Sequence, residues 1–469
     1  MSGRLVVVSN RVPVPTDRGP RAGGLAVALA DALQPGSIWF GWSGKRSPRA
    51  SHVPAMEEAD GVTYATIDLA DAEYRLFYAG FSNDVLWPLL HFRLGLVDFR
   101  AEAYHAYRAV NRRFAQALAP LLHDDDLIWV HDYHLIPLGE ELRRLRVSNR
   151  IGFFLHTPFV PPEVAAALPH CTELLATFSA YDVTGFHTHG YRASFLRCMT
   201  ELLGATVDGD VVDHAGRMSR AIVAPIGIDA DAFAAMAVQS AAGPEARRMK
   251  SSLAGRMLAF GADRLDYSKG LINRFDAFGR LLEQHPDARR RISFLQIAAA
   301  SREDVKSYQT LRQELDRIVG DTNGRFSEFD WVPIRYMTRT VSRRTIAGFY
   351  RIARIALVTP LRDGMNLVAK EFVAAQDEDN PGVLVLSQFA GAAEEMRDAL
   401  IVNPFDPDEI AGAIHQAMHM AQGERVARHA SLRAKVWEST AHHYCEIFLS
   451  ALARTVSAAI KGELADSEV

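Results

Sequence analysis

The sequence predicts an α/β protein made of two doubly wound domains. Three observations carry that expectation. Short apolar runs alternate with helical periodicity along nearly the whole chain. Many of the runs are apolar throughout, as strands are when helices cover both faces of a parallel sheet. The length, 469 residues, is that of two large domains at roughly 100–200 residues each. Domains of this kind are Rossmann-like, and two facing each other would enclose a cleft lined by loops at the carboxyl ends of the strands.

The strands expected in the first half are 5–9, 37–42, 63–69, 126–131, 150–155, 182–187 and 221–226. Those expected in the second half are 257–262, 292–298, 326–332, 355–359, 383–387 and 399–402. Helical periodicity fills 269–285, 302–319, 342–353 and 407–421. The domain boundary is expected within 226–245, where an Ala/Ser/Gly-rich stretch, AVQSAAGPEA, follows PIGIDADAF. The resulting division is 1–228, 229–440, and a C-terminal helix and tail, 441–469, expected to fold back on the N-terminal domain.

Composition removes several function classes. The 52 Lys+Arg against 56 Asp+Glu leave a net charge of −4, unlike a basic nucleic-acid binder. No apolar run approaches the roughly 18–20 residues that span a bilayer, and MSGRLVVVSNRVPVP reads as a strand rather than a signal peptide. Cys171, Cys198 and Cys445 lie far apart with no CxxC, which fits a reducing cytoplasm and leaves no zinc or disulfide framework. Neither nucleic acid nor membrane is expected as a partner, and a homo-oligomer is compatible with the sequence.

Polar residues gather just after the apolar runs. Arg11 follows the first strand, and Gly23-Gly24 precedes a helix start, read either as a phosphate or sugar contact or as a plain turn. The run DLIWV ends at His131-Asp132-Tyr133-His134, and the next strand ends at His156. Asp132 and His156 are read as substrate contacts at neighbouring strand ends, with a metal pair at His131 and His134 as the weaker alternative. Arg264 and Lys269 bracket a short loop at a helix start; cations there make sense if an anion joins them, and otherwise are surface charges. In TPLRDGMNLVAKEFVAAQ, Asp363 precedes a helix start and Glu371 lies on its first turns, so both either bind sugar hydroxyls or decorate the helix end.

Taken together, VVSNR, RAGGLAVAL, WFGWSG, FSNDVLWP, WVHDYHL, IGFFLHTPF, RLDYSKG, TPLRDGMNLVAKE and NPGVLVLSQFAGAAEE resemble the trehalose-6-phosphate synthases. The likeness runs in the family's order from about residue 4 to 440. It implies a GT-B fold and a retaining transfer of glucose from UDP-glucose to glucose 6-phosphate, giving α,α-trehalose 6-phosphate and UDP. It also implies that Arg11, Tyr78, Asp132 and Arg302 contact glucose 6-phosphate, with Trp87 lining the acceptor pocket. Arg264 and Lys269 correspond to the pair on the pyrophosphate, and Gly23 and Gly24 to a mobile loop over the donor. Leu367, Val368, Ala369, Lys370 and Glu371 correspond to the nucleotide segment, with Glu371 on the ribose. Asp363 and His156 correspond to contacts with the donor glucose. One departure is Val341, where relatives often carry a bulky residue near the uracil.

No Asp-x-Asp pair stands in a metal-binding context, so neither an obligatory metal nor a cofactor is expected. Three rival readings go with this one: a transferase to another phosphorylated acceptor such as glycerol 3-phosphate, a catalytically inactive regulatory subunit, and a metal-dependent hydrolase using His131, His134, His156 and Asp363.

Overall fold

The computed structural model describes residues 3–14, 29, 32–299 and 306–454. Gly23, Gly24 and Arg302 lie outside them. The chain divides into two units, one running to Pro225 and resuming at His442, the other spanning Ile226–Ala441.

The first unit holds β1 (Leu5–Arg11), β2 (Ile38–Ser47), β3 (Ala55–Ala59), β4 (Val62–Ala70) and β5 (Leu127–His131). It continues with β6 (Arg150–Phe154), β7 (Val183–Phe186), β8 (Thr206–Asp208), β9 (Val211–His214) and β10 (Arg217–Val223). These form one sheet in the order β3-β4-β2-β1-β5-β6-β7-β10-β9-β8. The central pairs are parallel, and β3, β8 and β9 join antiparallel at the margins. The central strands β5 and β7 are buried at every position, as strands covered on both faces must be. The returning helix, Ala441–Arg454, packs on this sheet through Phe448, which stacks on Trp129 at 4.7 Å. Gly152 and Gly185 make the contact feasible, because a Cβ on either would lie 2.6 or 2.8 Å from the Phe448 ring.

The second unit holds β11 (Met257–Arg264), β12 (Ile292–Ala299), β13 (Ile334–Met337), β14 (Ile355–Val358), β15 (Val383–Ser387) and β16 (Leu400–Val402). Its sheet is wholly parallel, in the order β13-β12-β11-β14-β15-β16. The core on one face joins Phe275, Phe278 and Leu281 of helix Leu271–Gln284 to Ile410 and Ile414 of helix Pro407–His419.

Both sheets reverse direction at their middle. The chain leaves β1 toward β2 and returns on the other side at β5; it leaves β11 toward β12 and returns at β14. Crevices at such switch points are where open α/β sheets bind ligands.

Several expected elements shift. Residues 326–332 are not a strand: Trp331 is buried, with its indole N–H donating to the Ile292 carbonyl at 2.9 Å, and the strand begins only at Ile334. The last strand of the first sheet is Arg217–Val223 rather than 221–226, because it starts in a polar stretch paired to β9. The Ala/Ser/Gly-rich stretch near 237–246 is not a linker but the junction of helices Ala230–Ala241 and Pro244–Leu253. Among the described residues no helix is long and apolar enough to cross a membrane.

Candidate active site

In the first unit, Arg11 ends β1 on the exposed side of the switch point. Its guanidinium lies over Gly44, where a Cβ would meet Arg11 Nε at 2.6 Å, and Gly44 has φ +86°. Only glycine leaves the Arg11 side chain room there. Across the switch point, β5 ends at His131 and the chain turns sharply at Asp132, whose φ is 75°. That left-handed backbone is uncommon for a residue with a Cβ, and such strain clusters at functional sites.

Asp132 is tied to the next strand end, since the His156 backbone N–H donates to Asp132 Oδ1 at 3.2 Å. His156 Nε2 in turn lies 3.0 Å from His131 Nδ1, so the two imidazoles share a proton. Burial pushes His156 down to about 3 and His131 well below the ordinary histidine range, where the neighbouring His156 adds to the shift. The pair is therefore neutral at neutral pH, able to hydrogen-bond sugar hydroxyls without adding charge.

His131 and His134 do not share a helical face. His131 ends the strand, while His134 sits in the 3-10 turn Tyr133–Leu135 and stacks on Tyr78 at 5.8 Å. Tyr78 also contacts Trp42 at 5.4 Å. Trp87 is buried beside His91 and Tyr133, with ring centroids 4.1 and 5.7 Å away. Tyr78 lies in a thirteen-residue π-helical segment, Tyr74–Leu86, that places these aromatics.

In the second unit, the loop after β11 is clamped from behind by Arg274, which is fully buried. Its guanidinium pairs with Asp263 at 2.5 Å and donates to Gln296 Oε1 at 2.8 Å, Thr359 Oγ1 at 3.0 Å and the Lys269 carbonyl at 3.2 Å. Gly270 closes the loop with φ +65°, and a Cβ there would lie 2.2 Å from the Thr359 carbonyl oxygen. So fixed, Arg264 is exposed at the strand end, and Lys269 reaches across the switch point to Asp363, Nζ to Oδ2 at 2.5 Å. Asn366 donates to the same oxygen at 3.0 Å and, with φ 78°, turns the chain into helix Leu367–Ala375. The first amides of that helix head the switch point, where an anion is favoured.

Glu371 on this helix pairs with Arg343 at 3.0 Å. Burial pushes its carboxyl up, opposed by Arg343. Lys370 points the other way: it is buried, with Nζ 2.7 Å from Glu395 and donating to the Ile226 carbonyl at 3.1 Å. Burial pushes its ammonium down, against the pull of Glu395. Any nucleotide contact at 370 therefore comes from its backbone. Leu367 and Val368 are half-buried and Ala369 is buried. Val341 is half-buried just ahead of Ser342, which caps helix Arg343–Ile352 by accepting from the Thr345 amide at 3.2 Å.

Sequence reasoning missed Arg274, Arg343, Glu395 and the role of His131. Arg274 lies eleven residues past Asp263, on a helix whose other inward positions are apolar. That lone charge on an apolar stripe was the available signal. The pairings of Arg343 and Glu395 carry no local signal.

The sequence matches glycosyltransferase family 20 over residues 3–454. It is 44% identical over 467 residues to a trehalose-6-phosphate synthase of Cronobacter sakazakii, covering 98% of this chain and 97% of the relative. A Burkholderia xenovorans UDP-forming α,α-trehalose-phosphate synthase in complex with glucose-6-phosphate superposes with a TM-score of 0.93 at 45% identity, covering 96% of this chain and all of the other. An Escherichia coli trehalose-6-phosphate protein bound with UDP-2-fluoro glucose superposes with a TM-score of 0.91 at 44% identity, covering 97% of this chain.

Proposed function

We infer that this chain, which belongs to glycosyltransferase family 20, moves glucose from UDP-glucose to glucose 6-phosphate, forming α,α-trehalose 6-phosphate and UDP. The single observation that carries the reading is the pair of switch points, each lined by residues of the right chemistry. One carries cations and helix-start amides; the other carries an arginine, aromatics and a neutral imidazole pair.

The donor half falls to the second unit. Lys269, Arg264 and the amides of residues 367–369 hold the pyrophosphate and stabilise the charge that builds on the leaving phosphate. Glu371 takes the ribose hydroxyls, and Asp363 orients the transferred glucose, with His156 of the first unit as its further contact. Val341 contacts the base through its backbone, so uracil recognition survives the small side chain. The acceptor half falls to the first unit, with Arg11 on the phosphate and Tyr78, Trp87 and Asp132 on the sugar. Arg302 is assigned to the same phosphate, and Gly23 and Gly24 to closing over the donor; all three lie outside the described residues. Retention follows from front-face attack: the acceptor hydroxyl bonds to the sugar carbon as the phosphate departs, and the departing phosphate takes the hydroxyl proton.

The same reading places the enzyme in the cytoplasm, in line with three free buried cysteines. Neither nucleic acid nor membrane enters it. The test is a product assay with UDP-glucose and a panel of glucose 6-phosphate, glycerol 3-phosphate and glucose, run with and without chelator. Trehalose 6-phosphate should dominate in both conditions. Product with glycerol 3-phosphate alone would replace the acceptor, and loss with chelator restored by zinc would point to the hydrolase.

A further inference from the structure

At the other edge of the second sheet, three histidines surround one carboxylate. His285 ends helix Leu271–Gln284 just before β12, and Asp287 follows two residues on. His415 and His419 lie one turn apart on helix Pro407–His419. Both helices run away from the carboxyl ends of β11 and β16, so the cluster sits at the amino edge, opposite Lys269 within this unit.

The geometry is convergent. His415 Nε2 lies 3.2 Å and His419 Nε2 lies 3.3 Å from the same oxygen, Asp287 Oδ2. Ligands about 2.0–2.1 Å from a tetrahedral ion stand roughly 3.3–3.4 Å apart, so these separations suit a shared ion. Ligand atoms of His285, Asp287 and His415 all lie within 4.8 Å of one another. The His285 ring stacks on His415 at 3.9 Å and 15°, so His285 must rotate to aim a nitrogen at the same ion.

Proton placement strengthens the case. His419 Nδ1 lies 3.0 Å from the His415 carbonyl, which only accepts, so the His419 proton sits on Nδ1. In a neutral ring that leaves a lone pair on Nε2 facing a carboxylate oxygen. Only a second proton or a cation between them makes that contact favourable.

We propose that His285, Asp287 and His415, with His419 as a fourth ligand, bind a borderline divalent transition ion of the Zn²⁺ class. Imidazole with one carboxylate is the donor set such ions take, and two histidines one helical turn apart present it on a rigid frame. The ion clips the two helices together at the amino edge and takes no part in the transfer.

The test uses the full chain, stripped with chelator and dialysed. Titration with Zn²⁺ by calorimetry should give one ion per chain, and Co²⁺ should give the visible ligand-field bands of a low-coordinate site. His415→Ala should abolish uptake; His419→Ala and Asp287→Asn should each weaken it roughly 100-fold, as losing a ligand costs at least what losing a supporting group does. Zn²⁺ should raise the melting temperature of the wild type and not of His415→Ala, whose melting without metal also reports that it is folded. Transfer activity should be unchanged in all three. No uptake by the wild type would overturn the proposal. Uptake that survives in His415→Ala/His419→Ala would overturn it as well.

Discussion

At the β11–β14 switch point the charged groups are already committed to one another: Lys269 to Asp363, and Arg343 to Glu371. At the β1–β5 switch point the arrangement differs. There burial has stripped charge from the histidine pair, aromatics form the wall, and Arg11 is exposed over Gly44. The difference teaches how each half meets its ligand. In the proposed reading, an anion entering the second unit competes with Asp363 for Lys269, so its binding includes an exchange of partners. In the same reading, a sugar phosphate entering the first unit finds the neutral imidazole pair, Asp132 and Arg11 already in place among the described residues.

The largest effect expected from this contrast is at Lys269. If, as proposed, its charge meets the negative charge that grows on the leaving phosphate, Lys269→Ala should lower turnover by roughly 100–1000-fold. Glu371→Gln should instead raise the donor KM by about tenfold with turnover nearly intact, since contacts that do not change during reaction affect binding alone. Steady-state kinetics with varied UDP-glucose separates the two. A Lys269→Ala enzyme changed only in KM would erase the distinction drawn between these residues.

Next is Gly44→Ala, which acts only in the first unit. Its Cβ would collide with the Arg11 guanidinium, 2.6 Å from Nε, at a φ of +86° that alanine resists. Displacing one positioning group by about an ångström can cost up to roughly 100-fold, so kcat/KM for glucose 6-phosphate should fall by about 10–100-fold. UDP affinity should hold. Equal losses for both substrates would mean that the variant disturbs more than Arg11.

The neutral histidine pair gives a pH signature. Unfolded, an imidazole takes its proton near the usual 6.5, whereas burial holds His156 unprotonated down to about 3. Between those values the unfolded chain binds the extra proton, so stability falls as pH drops from 6.5 toward 3. In His156→Asn that slope should be shallower by up to about 1.4 kcal/mol per pH unit, read from denaturant melts. An unchanged slope would show that His156 is not held neutral.

Much of the fold was legible because the physics was local. Runs such as LIWVH and VLVLS are apolar at every position since both faces are covered, and those strands stand where the runs are. The margins were less readable. AMEEA and VVDH pair antiparallel with wet faces, so nothing in their hydrophobicity marks them as strands. Residues 326–332 were expected as a strand, but the Trp331 indole is held by Ile292 and Ser293 and the strand begins only at Ile334. At the site, residues following strands were legible as candidates, because loops there follow from the fold. What they bond to was not. Lys370 and Glu371 are adjacent, yet one turns inward to Glu395 and the other to Arg343, a choice made by the helix's packing.

The measurement that most directly tests partner exchange is the affinity of UDP for Asp363→Asn, by calorimetry at fixed ionic strength. Asparagine keeps the size and removes the charge that holds Lys269 at 2.5 Å. UDP should bind severalfold more tightly than to the wild type, while turnover of UDP-glucose should fall as the donor sugar loses the proposed Asp363 contact. UDP bound no better, or more weakly, would contradict it and show that Asp363 and the nucleotide do not compete for Lys269.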